Sequence, residues 1–132
     1  MTPDHADTMR QLAKQLFDAL QDADSETLLE IYAPSASLWT HGRQRPVDAA
    51  LLARFLPKMK DTLPERKYEA RRMTVLPNGF VHQHRLVGRR KDGAETAVEC
   101  CAIVTVENKT ITRIEEYVDS RQLDAVMTQS QP

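Results

Sequence analysis

The spacing of apolar and polar positions changes near the middle of the chain, and that change predicts the architecture. In the first half, Met9, Leu12, Leu16, Phe17 and Leu20 recur at three- and four-residue intervals, the stripe of an amphipathic helix. Thr2-Pro3 supplies an N-cap and a first-turn proline. Asp22 to Ser25 interrupts the stripe with a second capping signal. Leu28, Leu29 and Tyr32 then predict a short second helix that Pro34 stops. Ser37 to Thr40 reads as a short strand containing Trp39, and His41-Gly42 as a turn. Pro46 is placed to open a third helix with Val47, Leu51, Leu52, Phe55, Leu56 and Met59 at helical spacing. Pro57 should kink or end it, and Pro64 closes the helical half.

Beyond Pro64 the chain reads as strands. Lys67 to Leu76, Phe80 to Arg90, Thr96 to Glu107 and Thr110 to Asp119 are separated by Pro77-Asn78-Gly79, Lys91-Asp92-Gly93 and Asn108-Lys109. Ser120 to Met127 predicts a short closing helix, and residues 128–132 a frayed tail. Helices followed by an antiparallel meander predict an α+β fold, a single domain spanning residues 1–132. The twist of such long strands should curl the sheet, with three helices closing its concave side into a cone.

Composition narrows the function classes. The 18 Lys+Arg against 19 Asp+Glu leave a formal charge of −1, which argues against a dedicated nucleic-acid binder. No apolar run approaches the roughly 20 residues that cross a bilayer, and the polar start Met1-Thr2-Pro3-Asp4 is unlike a secretory signal. Cys100 and Cys101 are neighbours, so on a strand they point to opposite faces and do not bridge. They read as reduced thiols of a cytoplasmic protein. No Gly-rich phosphate loop, nucleophile elbow or nucleotide fingerprint is present, and no cofactor is expected. Arg89-Arg90-Lys91 at a hairpin tip reads as a solvated turn.

Three segments carry a family resemblance. Asp24 to Trp39 (DSETLLEIYAPSASLW) resembles the second-helix segment of the nuclear transport factor 2-like superfamily, in its SnoaL-like polyketide cyclase branch. Gln83 to Gly88 is similar to that branch's third-strand pattern, and Ile111 to Asp119 to its final strand. The resemblance implies a cone-shaped α+β barrel, a homodimer, and an apolar pocket holding a few polar groups. Its members include ketosteroid isomerases, polyketide cyclases, limonene epoxide hydrolases and scytalone dehydratases. In the cyclases and epoxide hydrolases a carboxylate on the last strand is the acid or base, and Glu116 holds the matching position here. The Arg-x-Asp pair of the epoxide hydrolases is replaced by His82-Gln83-His84, a departure from that chemistry. Lys109 stands where the family commonly has glycine.

The residues can also be read without the family. Strand alternation puts Thr112, Ile114, Glu116 and Val118 on one face, and Ile111, Arg113, Glu115, Tyr117 and Asp119 on the other. Glu116 is then the single charge on the more apolar face, where lost hydration would raise its proton affinity toward acid/base use. A two-residue turn at Asn108-Lys109 would pair Glu116 with Cys101, and a bulged one with Cys100 or Ala102. His82 and His84 share a face with Phe80 and Leu86, as an acid/base pair, as donors to a carbonyl, or as two of the three ligands a metal needs. Glu116 or His41 could supply the third. Trp39 and His41 share a face and, with Tyr32, Phe55 and Ile114, are expected to line the pocket. Tyr117 faces away, toward an outer or dimer surface. The expected function is acid/base chemistry on a small apolar carbonyl or hydroxyl compound: isomerisation, cyclisation or dehydration. The alternatives are a non-catalytic binding or dimerisation module, and a His-x-His metal site.

Overall fold

A computed structural model describes residues 2–127 of the 132, so the expected fraying of residues 128–132 lies outside the described residues. The chain forms α1 (Pro3–Asp22), α2 (Ser25–Ile31), β1 (Tyr32–Thr40), β2 (Val47–Asp48), α3 (Ala49–Thr62), β3 (Glu65–Leu76), β4 (Gly79–Arg89), β5 (Glu95–Glu107), β6 (Thr110–Val118) and α4 (Ser120–Met127). The six strands make one curved, unclosed sheet in the order β2-β1-β6-β5-β4-β3. This is an α+β fold; beside the predicted meander stand β1, which extends the strand expected at Ser37 to Thr40, and the two-residue β2, which the pattern does not predict.

Local chemistry sets the helix ends. The Thr2 hydroxyl accepts the His5 N–H at 3.1 Å and caps α1. Its stripe, from Met9 through Leu20, is buried against the sheet. Asp24 caps α2 through the Thr27 N–H. That helix ends at Ile31, earlier than the sequence pattern predicts, because Tyr32 is already extended (φ −93°, ψ 139°). Tyr32 therefore belongs to β1, and Pro34 lies within that strand instead of stopping a helix. The third helix starts at Ala49, capped by Asp48, while Val47 joins β2. It runs through Pro57 to Thr62. A proline has no N–H for the carbonyl four residues back. Here that carbonyl, on Ala53, accepts the Ser25 hydroxyl of α2 at 3.0 Å, so the proline leaves no orphan.

Three register shifts phase the sheet, one on β1 between Tyr32 and Ser37 and two that place the site residues. Left-handed Ala70 (φ 55°) shifts the β3–β4 register and aims Arg71 at α1, where it bonds Asp18 at 2.7 Å. On β6, Val106 pairs with Ile111 and Thr105 with Arg113, leaving Thr112 as the extra residue. Ile111 and Ile114 are consequently both buried, which corrects the alternation expected for this strand. At the β4 start a Cβ on Gly79 would lie 1.8 Å from the Val104 carbonyl oxygen, so no side chain fits.

The Asn108-Lys109 turn is left-handed at both residues (φ 51° and 63°), the geometry of a tight hairpin that favours glycine second. Lys109→Gly should stabilise the fold by about 1 kcal/mol, raising Tm by roughly 3 °C. A thermal melt showing no rise would contradict that strain.

Candidate functional site

The inner face of the sheet, under α1, brings the chemistry together. Register places Met73, His82, Ala102, Glu116 and Thr40 in one row across five strands. Adjacent strands lie about 4.8 Å apart, so His82 and Glu116 are roughly 10 Å apart at their Cα atoms, with only the Ala102 methyl between them. The next row carries His84, Cys100 and Val118. Of the three pairings the sequence leaves open for Glu116, the Thr112 bulge selects Ala102. Cys100 then faces inward and Cys101 pairs with Tyr117 on the outer face.

His82 and His84 are each only 3% exposed. Their Nδ1 atoms are 2.9 Å apart, a bond that needs one proton between the two rings. Phe17 of α1 stacks on His82 with ring centroids 3.9 Å apart and planes 16° from parallel. The Tyr68 ring meets His84 edge-on at 5.2 Å. Burial drives His82 down to about 4, helped by the Arg71 charge, and His84 down to about 3, helped by His82 and Arg71. At neutral pH both rings are neutral. Each binds its proton more weakly in the folded chain than in the unfolded one, where the value is 6.5. Their stabilising contribution is therefore complete above pH 6.5 and is lost as the pH falls toward 4 and 3. Ring NMR at pH 5 should find both imidazoles still neutral, with Tm already falling. Charged rings at that pH would refute the assignment.

Glu116 is half-buried. Desolvation holds its carboxyl above the usual range, and the Arg43 charge partly opposes this. Its linkage has the opposite sign: protonation favours the folded state, and that advantage fades as the pH rises through the raised value. Burial and then the Glu116 charge push the Tyr32 and Tyr68 phenols up. The same two causes push the Cys100 thiol to about 12, so it is not an activated nucleophile. Two buried polar atoms on this side, the Tyr32 hydroxyl and His84 Nε2, have no hydrogen-bond partner among the described residues.

Glu116, His82, His84, Tyr32 and Ile114 all lie on the inner side. The structure does not bring Trp39, His41 or Phe55 there. Trp39 sits between Leu38, opposite Ile114, and Thr40, opposite Glu116, so it faces outward. It clusters with His41 and Tyr117, the Trp39–Tyr117 centroids lying 5.3 Å apart. Phe55 is 41% exposed on α3 beneath Lys58. Tyr68, Cys100 and Phe17 are the inner-side groups that sequence reasoning missed. Pairing of Tyr68 with Leu86 would have flagged the first. The imidazoles turn their Nδ1 atoms toward each other, and among the described residues no three His, Cys, Asp or Glu side chains could hold a metal. Two depressions of about 680 and 600 Å³ are open troughs; the first is bordered by outward residues such as Gln83 and Tyr117 and also reaches His84 and Cys100, and the second is bordered by residues such as Lys67 and Val87. Glu116 borders neither. Large concavity alone does not locate chemistry, and the buried, perturbed groups of the inner face mark the better candidate.

The fold matches many solved structures. An NTF2-like protein from Burkholderia xenovorans LB400 superposes with a TM-score of 0.75 at 21% identity, covering 91% of this chain and 95% of that one. A protein of Jannaschia sp. CCS1 described as a SnoaL-like polyketide cyclase gives 0.78 at 22%, covering 100% and 97%. An LEH-like epoxide hydrolase of M. tuberculosis gives 0.75 at 16%, covering 96% and 93%. These identities speak for the fold alone. No curated protein matches the sequence. No helix among the described residues is long and apolar enough to cross a membrane. The model of the SnoaL-like domain matches residues 13–114, and the chain belongs to that family.

Proposed function

We propose that a small, mostly apolar molecule bearing a carbonyl or hydroxyl group binds in a hollow against the inner sheet face. Glu116 moves a proton there, while His82 and His84 orient or polarise the oxygen. The observation that carries this reading is the row in which Glu116 and His82 face inward across Ala102. A carboxyl with raised proton affinity beside neutral imidazoles is suited to move a proton at neutral pH without a strong base. Isomerisation, aldol-type cyclisation and dehydration all begin with such a transfer. The test is exchange of the α-protons of a neutral ketone, 2-tetralone, into D2O, followed by NMR. Wild-type protein should accelerate the exchange, and a rate equal to that of buffer would remove the catalytic part of the reading. A binding role without chemistry would then be favoured by the unpartnered Tyr32 hydroxyl and His84 Nε2.

The outer face supports a second copy as partner. Tyr117 is 42% exposed beside Trp39, and Arg85–Glu99 and Arg113–Glu115 pairs flank it. Mixed charge around an aromatic centre suits a self-complementary interface. Wild-type protein should sediment as a dimer and Tyr117→Asp as a monomer, and identical sedimentation of the two would contradict this. A cytoplasmic setting belongs to the same reading, since both thiols are free.

A further inference from the structure

The two unpartnered atoms of the inner face say more about what binds there. Tyr32 is 6% exposed and His84 3%, yet the Tyr32 hydroxyl and His84 Nε2 have no hydrogen-bond partner among the described residues. A buried polar atom without a hydrogen bond is costly, and it is the natural contact for a bound molecule. The two atoms belong to one neighbourhood. Glu116 acts electrostatically on both Tyr32 and Tyr68, and the Tyr68 ring lies against His84. Tyr32 comes from β1 and His84 from β4, with β6 and β5 between them, so one small group cannot satisfy both.

The imidazole pair adds a chemical property. With one proton shared between the two Nδ1 atoms, two neutral arrangements exist. If His84 holds that proton, its Nε2 is bare and accepts. If His82 holds it, His84 carries its own proton on Nε2 and donates. His84 can thus meet a hydroxyl or a carbonyl. Tyr32, a protonated phenol, donates to an oxygen. The neighbouring imidazoles, phenols and thiol are all in their uncharged forms at neutral pH, and the Arg71 cation that acts on both imidazoles is already paired with Asp18, so an ionic group would be poorly compensated there.

We propose that the inner face is a two-point receptor for an uncharged molecule carrying two oxygen functions, one held by the Tyr32 hydroxyl and the other by His84 Nε2. This rests on the reading above that a small molecule occupies that face, and the experiment separates the two. The probes are the 1,3- and 1,4-isomers of diacetylbenzene, with two carbonyls, acetophenone, with one, and 4-acetylbenzoate, with a charge in place of the second. Binding is followed by titration and by ¹⁵N NMR of the histidine rings. One diacetylbenzene isomer should bind about tenfold more tightly than acetophenone and should shift His84 Nε2, the gain expected of one added buried hydrogen bond. 4-Acetylbenzoate should bind more weakly than either. Tyr32→Phe should reduce the diketone to the affinity of acetophenone. Equal affinities for one and two carbonyls, or a diketone affinity unchanged in Tyr32→Phe, would overturn the two-point receptor and leave the hollow standing. Failure of every probe to bind or to shift the histidine rings would overturn both.

Discussion

Glu116→Gln should slow ketone α-proton exchange by about 10²–10⁴-fold, the share that a positioned acid or base contributes. The substitution keeps the shape of the side chain and removes only its ability to take up and release a proton. The fold should tolerate it well, because the carboxylate is held against its hydration preference and has no salt-bridge partner among the described residues. Thermal stability should therefore hold or rise, and probe affinity should change little. That combination separates a chemical role from a structural one: a merely structural carboxyl would lower Tm and leave the residual exchange rate unchanged. Exchange measured by NMR across pH adds a second readout. The wild-type rate should depend on the titration of one group above the usual carboxylate range, and that dependence should vanish in Glu116→Gln. An exchange rate unaffected by the substitution would end the assignment.

Phe17→Ala should destabilise the protein by about 3–5 kcal/mol, the cost of emptying a fully buried aromatic site. Phe17 is 1% exposed and packs on His82, His84 and Tyr68 together. Total stabilities of about 5–15 kcal/mol make this loss a large fraction of the whole. Urea denaturation would measure it, and Phe17→Leu should recover most of the loss. The same substitution reaches the chemistry. Phe17 is the lid that keeps water from the imidazole pair, so both rings should titrate closer to 6.5 in the variant, by ring NMR. Unmoved ring titrations in a destabilised variant would show that burial beneath Phe17 is not what depresses them.

Elements with many repeats of one period were the easiest to read. The α1 stripe, the long strands β3 to β6 and their turns follow from spacing alone, and the inward facing of His82 and His84 follows from alternation on β4. Reading failed where one residue changes the phase. Thr112 adds a residue to β6 without any signal in its side chain, so Ile111 was assigned to the wrong face while Glu116 kept the right one. Ala70 does the same on β3, in a left-handed conformation that only glycine or asparagine would have advertised. Only the Ser37 to Thr40 end of β1 was legible, because its partner β6 lies nearly eighty residues away along the chain and runs parallel to it. Its early start also moved Tyr32 from a helix to the sheet. For the same reason the Trp39 side could not be known, since the facing of a strand is defined only once its neighbour is.

That parallel contact has a consequence for how the molecule comes into being. β1 is made early in synthesis and β6 late, yet each completes the other's backbone bonding. Until the final strand emerges, the middle of the sheet is missing and β1 has only the two-residue β2 beside it. The Glu116 charge reaches Tyr32 across this same seam. Closure over so long a sequence separation is slow compared with hairpin formation, so the meander of β3 to β5 can zip first and the candidate centre assembles last. A chain released before its last strand would carry most of the fold's residues but lack Glu116, the carboxyl on which its proposed chemistry turns.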